Sequence, residues 1–342
     1  MKLLRFLLFP ISIVYNLITS IRNFLYDTNM LKQSVFNIPV IAVGNLSVGG
    51  TGKSPQIEYL IRLLYKQYAI AVLSRGYKRK LKGFQLVNAE HSAEEVGDEP
   101  MQFFRKFSNN VTIAVDADRV HGISSLLHFT SKPELILLDD AFQHRKVKAS
   151  FYILLTKYND LYTNDFLLPT GNLRERRAGA KRADVIVVTK CPADLNAEKQ
   201  RLIAKTLQIE NTQKLFFSTI TYQEDLIGPE SKTLSDFTNK KILLVTGIAN
   251  PIPLVQYLEK RNISVEHIAF PDHHNFTHKD IVLLQKHEGI LKETNSIILT
   301  TEKDYVRLES KLTNLYYVSI QTEFIDNKDG FDTCVLEHLQ TF

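Results

Sequence analysis

The chain reads Ser47-Val48-Gly49-Gly50-Thr51-Gly52-Lys53-Ser54 between an apolar run at 38–43 and a run with helical periodicity at 56–64. A strand, a glycine-rich turn, Lys-Ser and a helix follow one another in the same order in phosphate-binding loops. The glycines let backbone N–H groups approach an anion, and the positive end of the helix dipole adds to the attraction. We therefore predict that residues 47–54 bind the phosphates of a nucleotide.

Two side chains of this loop have specific expected roles. Lys53 is placed to reach the β- and γ-phosphates, and the Ser54 hydroxyl is placed to bind Mg²⁺. Ser47 stands where the first glycine of the standard pattern is usual, and we expect Gly49 and Gly50 to supply the permissive backbone instead. An ordinary turn is the alternative, which the flanking strand and helix disfavour.

A second apolar run supplies the carboxylates that a Mg²⁺ site requires. Residues 135–138 lead directly into Asp139 and Asp140. Ligands gather at the carboxyl ends of strands in a doubly wound parallel sheet, so we expect both acids to lie beside the loop. One of them would hold the metal ion directly or through water. The alternative is that the pair only forms a turn.

Length and composition are consistent with an enzyme. The 342 residues suggest about two domains, and a hydrophobic content of 44% is enough for buried cores. Cys191 and Cys334 are far apart in the sequence and match no metal-binding spacing, which suggests a reducing compartment. Because the net charge of +5 is mild and the basic residues are scattered, the sequence predicts no nucleic-acid partner.

Residues 2–26 are mostly apolar, and the polar residues between positions 5 and 27 recur at helical spacing. The resulting stripe consists of Arg5, Ser12, Asn16, Thr19, Asn23 and Asp27. The pattern predicts that residues 1–27 form an amphipathic helix lying in a membrane surface, broken or kinked at Pro10. A secretory signal is disfavoured because no small-residue cleavage site follows. A membrane-spanning helix and a helix packed on the protein's own core remain alternatives.

Apolar runs and helical segments alternate along the rest of the chain. Continuous apolar runs in the first half indicate parallel strands buried on both faces, at residues 69–73, 111–115, 151–155 and 184–188. A polar stretch at 221–240 precedes a second β/α series, so we place a domain boundary near residue 222. The predicted fold is α/β, with a mostly parallel, P-loop NTPase-like sheet covered by helices over 28–221 and a smaller α/β domain over 222–342.

Clusters of polar residues and glycines follow several predicted strands. In chain order they are Ser74-Arg75-Gly76-Tyr77, Gly97-Asp98-Glu99-Pro100, Asp139-Asp140-Ala141-Phe142-Gln143-His144-Arg145 and Asp272-His273-His274. Together with the Val43-Gly44-Asn45 lead-in and the phosphate-binding loop, they resemble the tetraacyldisaccharide 4′-kinase family of Gram-negative bacteria. The resemblance extends over nearly the whole chain, and Ser47 at the first loop position is itself similar to the family.

The resemblance implies ATP- and Mg²⁺-dependent phosphorylation of the 4′-hydroxyl of a tetraacyldisaccharide 1-phosphate in lipid A biosynthesis. It also implies peripheral attachment to the cytoplasmic face of the inner membrane, with the active site in a cleft that the second domain closes. By the resemblance, Asp98 removes the proton of the sugar hydroxyl and His273 adjusts its basicity. Taken alone, Asp98 before Glu99-Pro100 would indicate a helix cap, and His273 a solvated loop residue.

Five further residues are candidates for contacts with phosphate or the lipid head group: Arg75, Gln143, Arg145, Arg174 and Glu175. Each of them could instead serve in a structural contact. The alternative function is a P-loop ATPase or GTPase that acts as a membrane-associated switch or transport ATPase. In that case water accepts the phosphate, and the output is a conformational change.

Overall fold

The computed structural model describes residues 5–272, 274–293 and 295–342. Within them, the α-helices are α1 (Phe9–Asp27), α2 (Lys53–Leu64), α3 (Ala93–Val96), α4 (Asp98–Phe107), α5 (Arg119–Leu127), α6 (Ala197–Leu207), α7 (Ile252–Lys260), α8 (His278–Glu293), α9 (Glu302–Leu308) and α10 (Lys328–Thr341). Short 3₁₀ helices lie at Phe6–Leu8, Tyr162–Asn164, Arg177–Arg182 and Leu234–Phe237.

The strands are β1 (Val40–Asn45), β2 (Ile70–Ser74), β3 (Gln85–Leu86), β4 (Val111–Val115), β5 (Leu135–Asp139), β6 (Phe151–Lys157), β7 (Val185–Thr189), β8 (Lys214–Ile227), β9 (Lys232–Thr233), β10 (Lys241–Thr246), β11 (Ser264–Ala269), β12 (Ile298–Thr301) and β13 (Leu315–Phe324). Across the described residues they form one sheet in the order β11-β10-β12-β13-β8-β7-β6-β1-β5-β2-β4-β3, with β9 beside β8. The predicted α/β class with a mostly parallel sheet is confirmed.

Successive residues of the central strand β1 pack against opposite layers of helices. Ile41 and Val43 belong to an apolar cluster with Ile57 of α2. Val40 and Ala42 belong to a different cluster, which includes residues of α5. Because side chains alternate across a strand and both faces are covered, β1 is buried throughout, as the continuous apolar run predicts. The parallel arrangement places the carboxyl ends of β1, β2 and β5 at one edge.

Strand β8 joins the two halves of the sheet. It runs parallel to β7 at 214–217 and antiparallel to β13 at 218–227. The polar stretch predicted at 221–240 therefore begins within a strand, whose half-exposed residues carry no continuous apolar pattern. The boundary predicted near residue 222 lies inside this strand. The division at 222 stays a prediction, and by its packing the C-terminal helix α10 belongs to the first half, because Phe331 shares a cluster with Ile57.

Helix α1 turns its polar stripe toward the protein. Arg5 donates to the Pro169 carbonyl oxygen over 3.0 Å, and the Ser12 hydroxyl donates to Thr170 Oγ1 over 2.7 Å. Further along the helix, Asn23 donates to Glu175 over 2.9 Å. The predicted helix is thus present. It is not broken at Pro10, which lies in its first turn, where a missing N–H costs little.

The apolar side of α1 faces outward. Leu17, Ile18 and Phe24 are 60%, 61% and 60% exposed, and Leu7, just before the helix, is 78% exposed. This arrangement is the reverse of that in a helix packed by its apolar face on the protein's own core. By length and composition alone, Phe6–Asp27 is long and apolar enough to cross a membrane.

An ion cluster joins α2, α4 and α9 where the two halves meet. Lys106 Nζ lies 2.9 Å from Glu58 Oε2 and 2.5 Å from Glu302 Oε2. Both carboxylates are buried. Burial, and then the negative charge of Glu58, raises the pKa of Glu302 from 4.5 to about 7. The folded protein therefore binds a proton at Glu302 more tightly than the unfolded chain does.

This difference predicts how stability depends on pH. The contribution of Glu302 is present in full below pH 4.5 and is lost as pH rises through about 7. We expect Glu302→Gln to reduce the loss of unfolding free energy between pH 5 and pH 8 by about 1–3 kcal/mol, since one pKa unit corresponds to about 1.4 kcal/mol. Urea unfolding at the two pH values measures this. Glu309→Gln, at the more exposed pair with Arg105, is the control, and equal pH slopes for wild type and Glu302→Gln would contradict the prediction.

Candidate active site

The loop between β1 and α2 is shaped by two glycines. Gly49 has φ 105° and Gly52 has φ 88°, a backbone region that favours glycine. Gly50 does not have a positive φ, so the expectation that it supplies a permissive backbone is wrong, and Gly52 has that role. Helix α2 begins directly after Gly52, so its N-terminal N–H groups face the loop.

Ser47 takes the place of a glycine because the loop begins as paired backbone. Ser47 forms an isolated antiparallel bridge with Leu173, and the Val48 N–H donates to the Asn172 carbonyl oxygen over 2.8 Å. At the end of β1, the Asn45 side chain donates across the loop to the Thr51 hydroxyl over 2.8 Å. These contacts hold the entry of the loop in an extended conformation, which does not require glycine.

Lys53 and the two predicted acids meet at the carboxyl end of β5. Lys53 Nζ lies 3.7 Å from Asp140 Oδ1, and Arg174 Nη2 lies 2.7 Å from the same oxygen. Burial opposes ionisation of Asp140, but Lys53 and Arg174 outweigh it and lower its pKa to about 2. Burial, followed by the charge of Asp140, raises the pKa of Asp139 to about 6. Asp140 is therefore a stable anion, whereas Asp139 forms no ion pair within 4 Å among the described residues.

The donors at this edge fit a magnesium ion. Asp139 Oδ1 is buried and has no hydrogen-bond partner among the described residues, while Oδ2 accepts from Ser74. Ser54, Asp139 and Asp140 offer oxygen atoms, which are the ligands that Mg²⁺ prefers. The described residues hold no group of three or more His, Cys, Asp or Glu side chains suited to a metal. That absence is compatible with Mg²⁺, which usually keeps water and phosphate ligands.

Asp98 lies at the first position of α4, directly after Gly97. The backbone of Gly97 passes close to Gly76, which follows β2, and a Cβ at position 97 would lie 3.2 Å from the Cα of Gly76. The glycine precedes the helix, and Arg307 of α9 binds the Asp98 carboxylate with both Nε and Nη2. His273 lies outside the described residues. Its neighbour His274 has its ring nitrogen 2.9 Å from Asp280 Oδ2.

The predicted substrate residues divide into two groups. Gln143 donates to Glu175 Oε1 over 3.0 Å, and Arg174 binds Asp140, so these three residues lie together beside the loop. Arg145 is buried and donates to Asp27 over 2.7 Å, so it holds the end of α1 rather than facing the loop. Arg75 is exposed after β2. All five roles in substrate binding remain predictions.

The sequence analysis did not identify four residues at the site. Arg119 is buried and donates to the Asp139 carbonyl oxygen over 3.2 Å, and Thr189 donates to the Thr51 carbonyl oxygen over 2.8 Å. Lys157 Nζ lies 3.9 Å from the point where a Cβ at position 49 would stand, and Lys190 Nζ lies 3.9 Å from the corresponding point at position 50. The location of Lys157 and Lys190 at the ends of apolar runs could have indicated them. No comparable signal marks Arg119, which resembles a surface residue at a helix start.

The two lysines place further positive charge beside the loop. Lys190 is an exposed residue whose ammonium nitrogen lies beside the loop at position 50. Desolvation, and then the charge of Lys157, lowers the pKa of Lys190. A bound polyanion would relieve this repulsion, which agrees with a phosphate-binding loop.

Comparisons with known proteins agree with this geometry. The family model described as "Tetraacyldisaccharide-1-P 4'-kinase" matches residues 4–340. A tetraacyldisaccharide 4'-kinase of Flavobacterium johnsoniae is 53% identical, over 99% of this chain and 98% of that protein. One from Bacteroides fragilis is 42% identical, over 97% and 93%.

A solved structure is also similar along its whole length. The crystal structure of LpxK from Aquifex aeolicus in complex with ATP has a TM-score of 0.79 and 30% identity, and the match covers 98% of this chain and 99% of that one. The predicted resemblance is confirmed, and the alternative of a switch or transport ATPase is not favoured. The chain belongs to the tetraacyldisaccharide-1-P 4'-kinase family.

Proposed function

We propose that this protein transfers the γ-phosphate of ATP to the 4′-hydroxyl of a tetraacyldisaccharide 1-phosphate, a step of lipid A biosynthesis. The observation that carries the proposal is the convergence of the glycine loop, Lys53 and the pair Asp139–Asp140. The relatives of this chain are named tetraacyldisaccharide 4'-kinases. Phosphoryl transfer requires mainly positioning and charge neutralisation, which this arrangement can supply.

Each part of the loop has a role in this proposal. The N–H groups of residues 49, 50 and 52–54 bind the phosphates, and Lys53 neutralises charge that develops on the γ-phosphate. Ser54, Asp139 and Asp140 would hold Mg²⁺, which neutralises phosphate charge when bound. Lys53 is already held near this point by Asp140, so little side-chain ordering is needed when ATP binds.

Asp98 is the proposed base. A sugar hydroxyl is a weak nucleophile, and a carboxylate that accepts its proton as the new bond forms lowers the barrier. Asp98 lies beside the turn after β2, and Arg307 links it to the segment that contains His273. His273 is proposed to adjust the basicity of Asp98.

The docking of α1 suggests how a lipid reaches this site. Tyr15 donates to the Arg174 carbonyl oxygen over 2.7 Å, and Asn23 donates to Glu175. The segment that holds α1 therefore also supplies Arg174 and Glu175, which we propose contact the disaccharide with Gln143 and Arg75, whereas Arg145 holds the end of α1. A lipid whose acyl chains stay in the membrane would place its sugar near this segment.

We propose that α1 lies in the membrane surface rather than spanning the bilayer. Its polar stripe contacts the protein from Arg5 to Asp27, so a spanning orientation would break these hydrogen bonds. The exposed apolar side would enter the interface, with basic residues aiding attraction to anionic lipid. Because the reaction uses ATP, we place this membrane surface at the cytoplasmic face of the inner membrane.

The direct test of the reaction is a transfer assay with labelled ATP. We expect the label to appear on the lipid when an acylated disaccharide 1-phosphate is present in detergent micelles. Without the acceptor, ATP consumption should be nearly absent. Rapid hydrolysis that ignores the acceptor would instead support a switch or transport ATPase.

Replacement of the proposed base tests the chemistry. We expect Asp98→Asn to lower kcat about 10²–10⁴-fold, the usual contribution of general base catalysis. Calorimetry should show nearly unchanged ATP binding, because Asp98 is not part of the loop. Glu309→Gln is the control, since it removes another carboxylate that pairs with an arginine of the same two helices. Wild-type turnover by Asp98→Asn would remove Asp98 from the mechanism.

The exposed side of α1 can be tested without disturbing its docking. We expect the triple variant Leu17→Ser, Ile18→Ser and Phe24→Ser to weaken vesicle binding about 100-fold, since partial burial of each side chain contributes about 1 kcal/mol. ATP binding should be retained because these side chains point away from the protein. Leu202→Ser, at an exposed residue of α6, is the control. Equal partition of the triple variant and wild type onto vesicles would argue against the anchor.

A further inference from the structure

Helices α4 and α9 meet along a row of ion pairs. Arg105 pairs with Glu309, Lys106 pairs with Glu302, and Arg307 pairs with Asp98. The first two pairs both involve the last turn of α4. The third pair differs because its carboxylate belongs to the proposed base, at the first residue of α4.

Arg307 makes contacts on both sides of the junction. Its Nε donates to Asp98 Oδ1 over 2.9 Å, and its Nη2 donates to Oδ2. Its Nη1 donates to the His274 carbonyl oxygen over 2.6 Å. The side chains of Arg307 and Asp98 are only 16% and 12% exposed, so the pair is partly shielded from solvent.

The geometry of this contact restricts the base. A guanidinium fork that binds both oxygens of a carboxylate fixes the plane of the carboxylate, which a single ammonium does not. Each carboxylate oxygen keeps a second lone pair, so Asp98 can still accept a proton from a hydroxyl. A displacement of a reacting group by about 1 Å can lower the reaction rate on the order of 10²-fold. The orientation of Asp98 is therefore expected to affect kcat.

The same helix also binds residues 272 and 274. Lys303 Nζ lies 3.2 Å from Asp272 Oδ1, and Arg307 binds the His274 carbonyl oxygen. Thus α9 contacts residues on both sides of position 273. The orientation of Asp98 is therefore tied to the placement of this segment by one side chain, Arg307.

We propose that Arg307 is a positioning residue for phosphoryl transfer. It orients the Asp98 carboxylate toward the acceptor hydroxyl and couples that orientation to the backbone of His274. This inference rests on the proposed function, because it requires Asp98 to act as the base. Arg307 itself touches neither nucleotide nor acceptor in this scheme.

The first test separates kcat from KM. We expect Arg307→Gln to lower kcat about 10–100-fold in the labelled-ATP assay, with KM for ATP changed less than about threefold. Arg307→Lys should recover part of the rate, since it restores the charge without the fork. Arg105→Gln, which breaks a neighbouring pair between the same helices, should stay near wild type. If Arg307→Gln and Arg105→Gln lowered kcat equally, or if both left it unchanged, the proposal would be overturned.

The second test is a double-mutant cycle with Asp98→Asn. If Arg307 acts through Asp98, adding Arg307→Gln to Asp98→Asn should reduce the residual rate by less than about twofold. If the rate losses of the two single substitutions instead multiplied in the double variant, Arg307 would act independently of Asp98 and the proposal would be overturned. ATP binding by calorimetry verifies that each variant is folded.

The two hypotheses fail in different ways. Wild-type protein without acceptor-dependent transfer, or full turnover by Asp98→Asn, would refute the proposed function and the inference with it. An active wild type, an impaired Asp98→Asn and an undisturbed Arg307→Gln would refute the inference alone.

Discussion

The structure depends on one constraint, which is that parallel strands end at a common edge. The ends of β1 and β5 lie side by side there, so a glycine loop and a carboxylate pair far apart in the sequence become neighbours. Lys53 at the start of α2 then approaches Asp140, and Asp139 is left buried with one oxygen lacking a hydrogen-bond partner among the described residues. Burying a carboxylate with an unpartnered oxygen raises the free energy of the folded state unless a cation binds to that oxygen. Its presence in a packed sheet is a physical indication of metal and nucleotide binding.

The N-terminal helix reverses the usual arrangement of a surface helix. Its polar side is bound by the segment around residues 167–175, and its apolar side is exposed. Because Arg174 of that segment binds Asp140, the docking of the helix and the geometry of the candidate metal site depend on the same segment of the chain. In the proposed function, this connection joins the membrane surface to the chemistry.

The two halves of the protein are joined by more than a linker. Strand β8 belongs to both parts of the sheet, and α10 returns to the first core. Ion pairs between α4 and α9 cross the same junction, and one of them involves Asp98. The proposed base is therefore bound by a side chain of the second half.

The sequence by itself determined the alternation of strands and helices along the chain, the glycine loop, the acids at the end of β5 and the polar stripe of α1. These features are local, since burial periodicity and turn chemistry are carried by neighbouring residues. Tertiary structure alone decided that the polar stripe faces the protein, that Gly52 rather than Gly50 has a positive φ, and that Arg145 binds Asp27. It alone brought Arg307 to Asp98, 209 positions away in the chain. A long-range pair of charged residues leaves no periodic signal, because only folding brings the partners together.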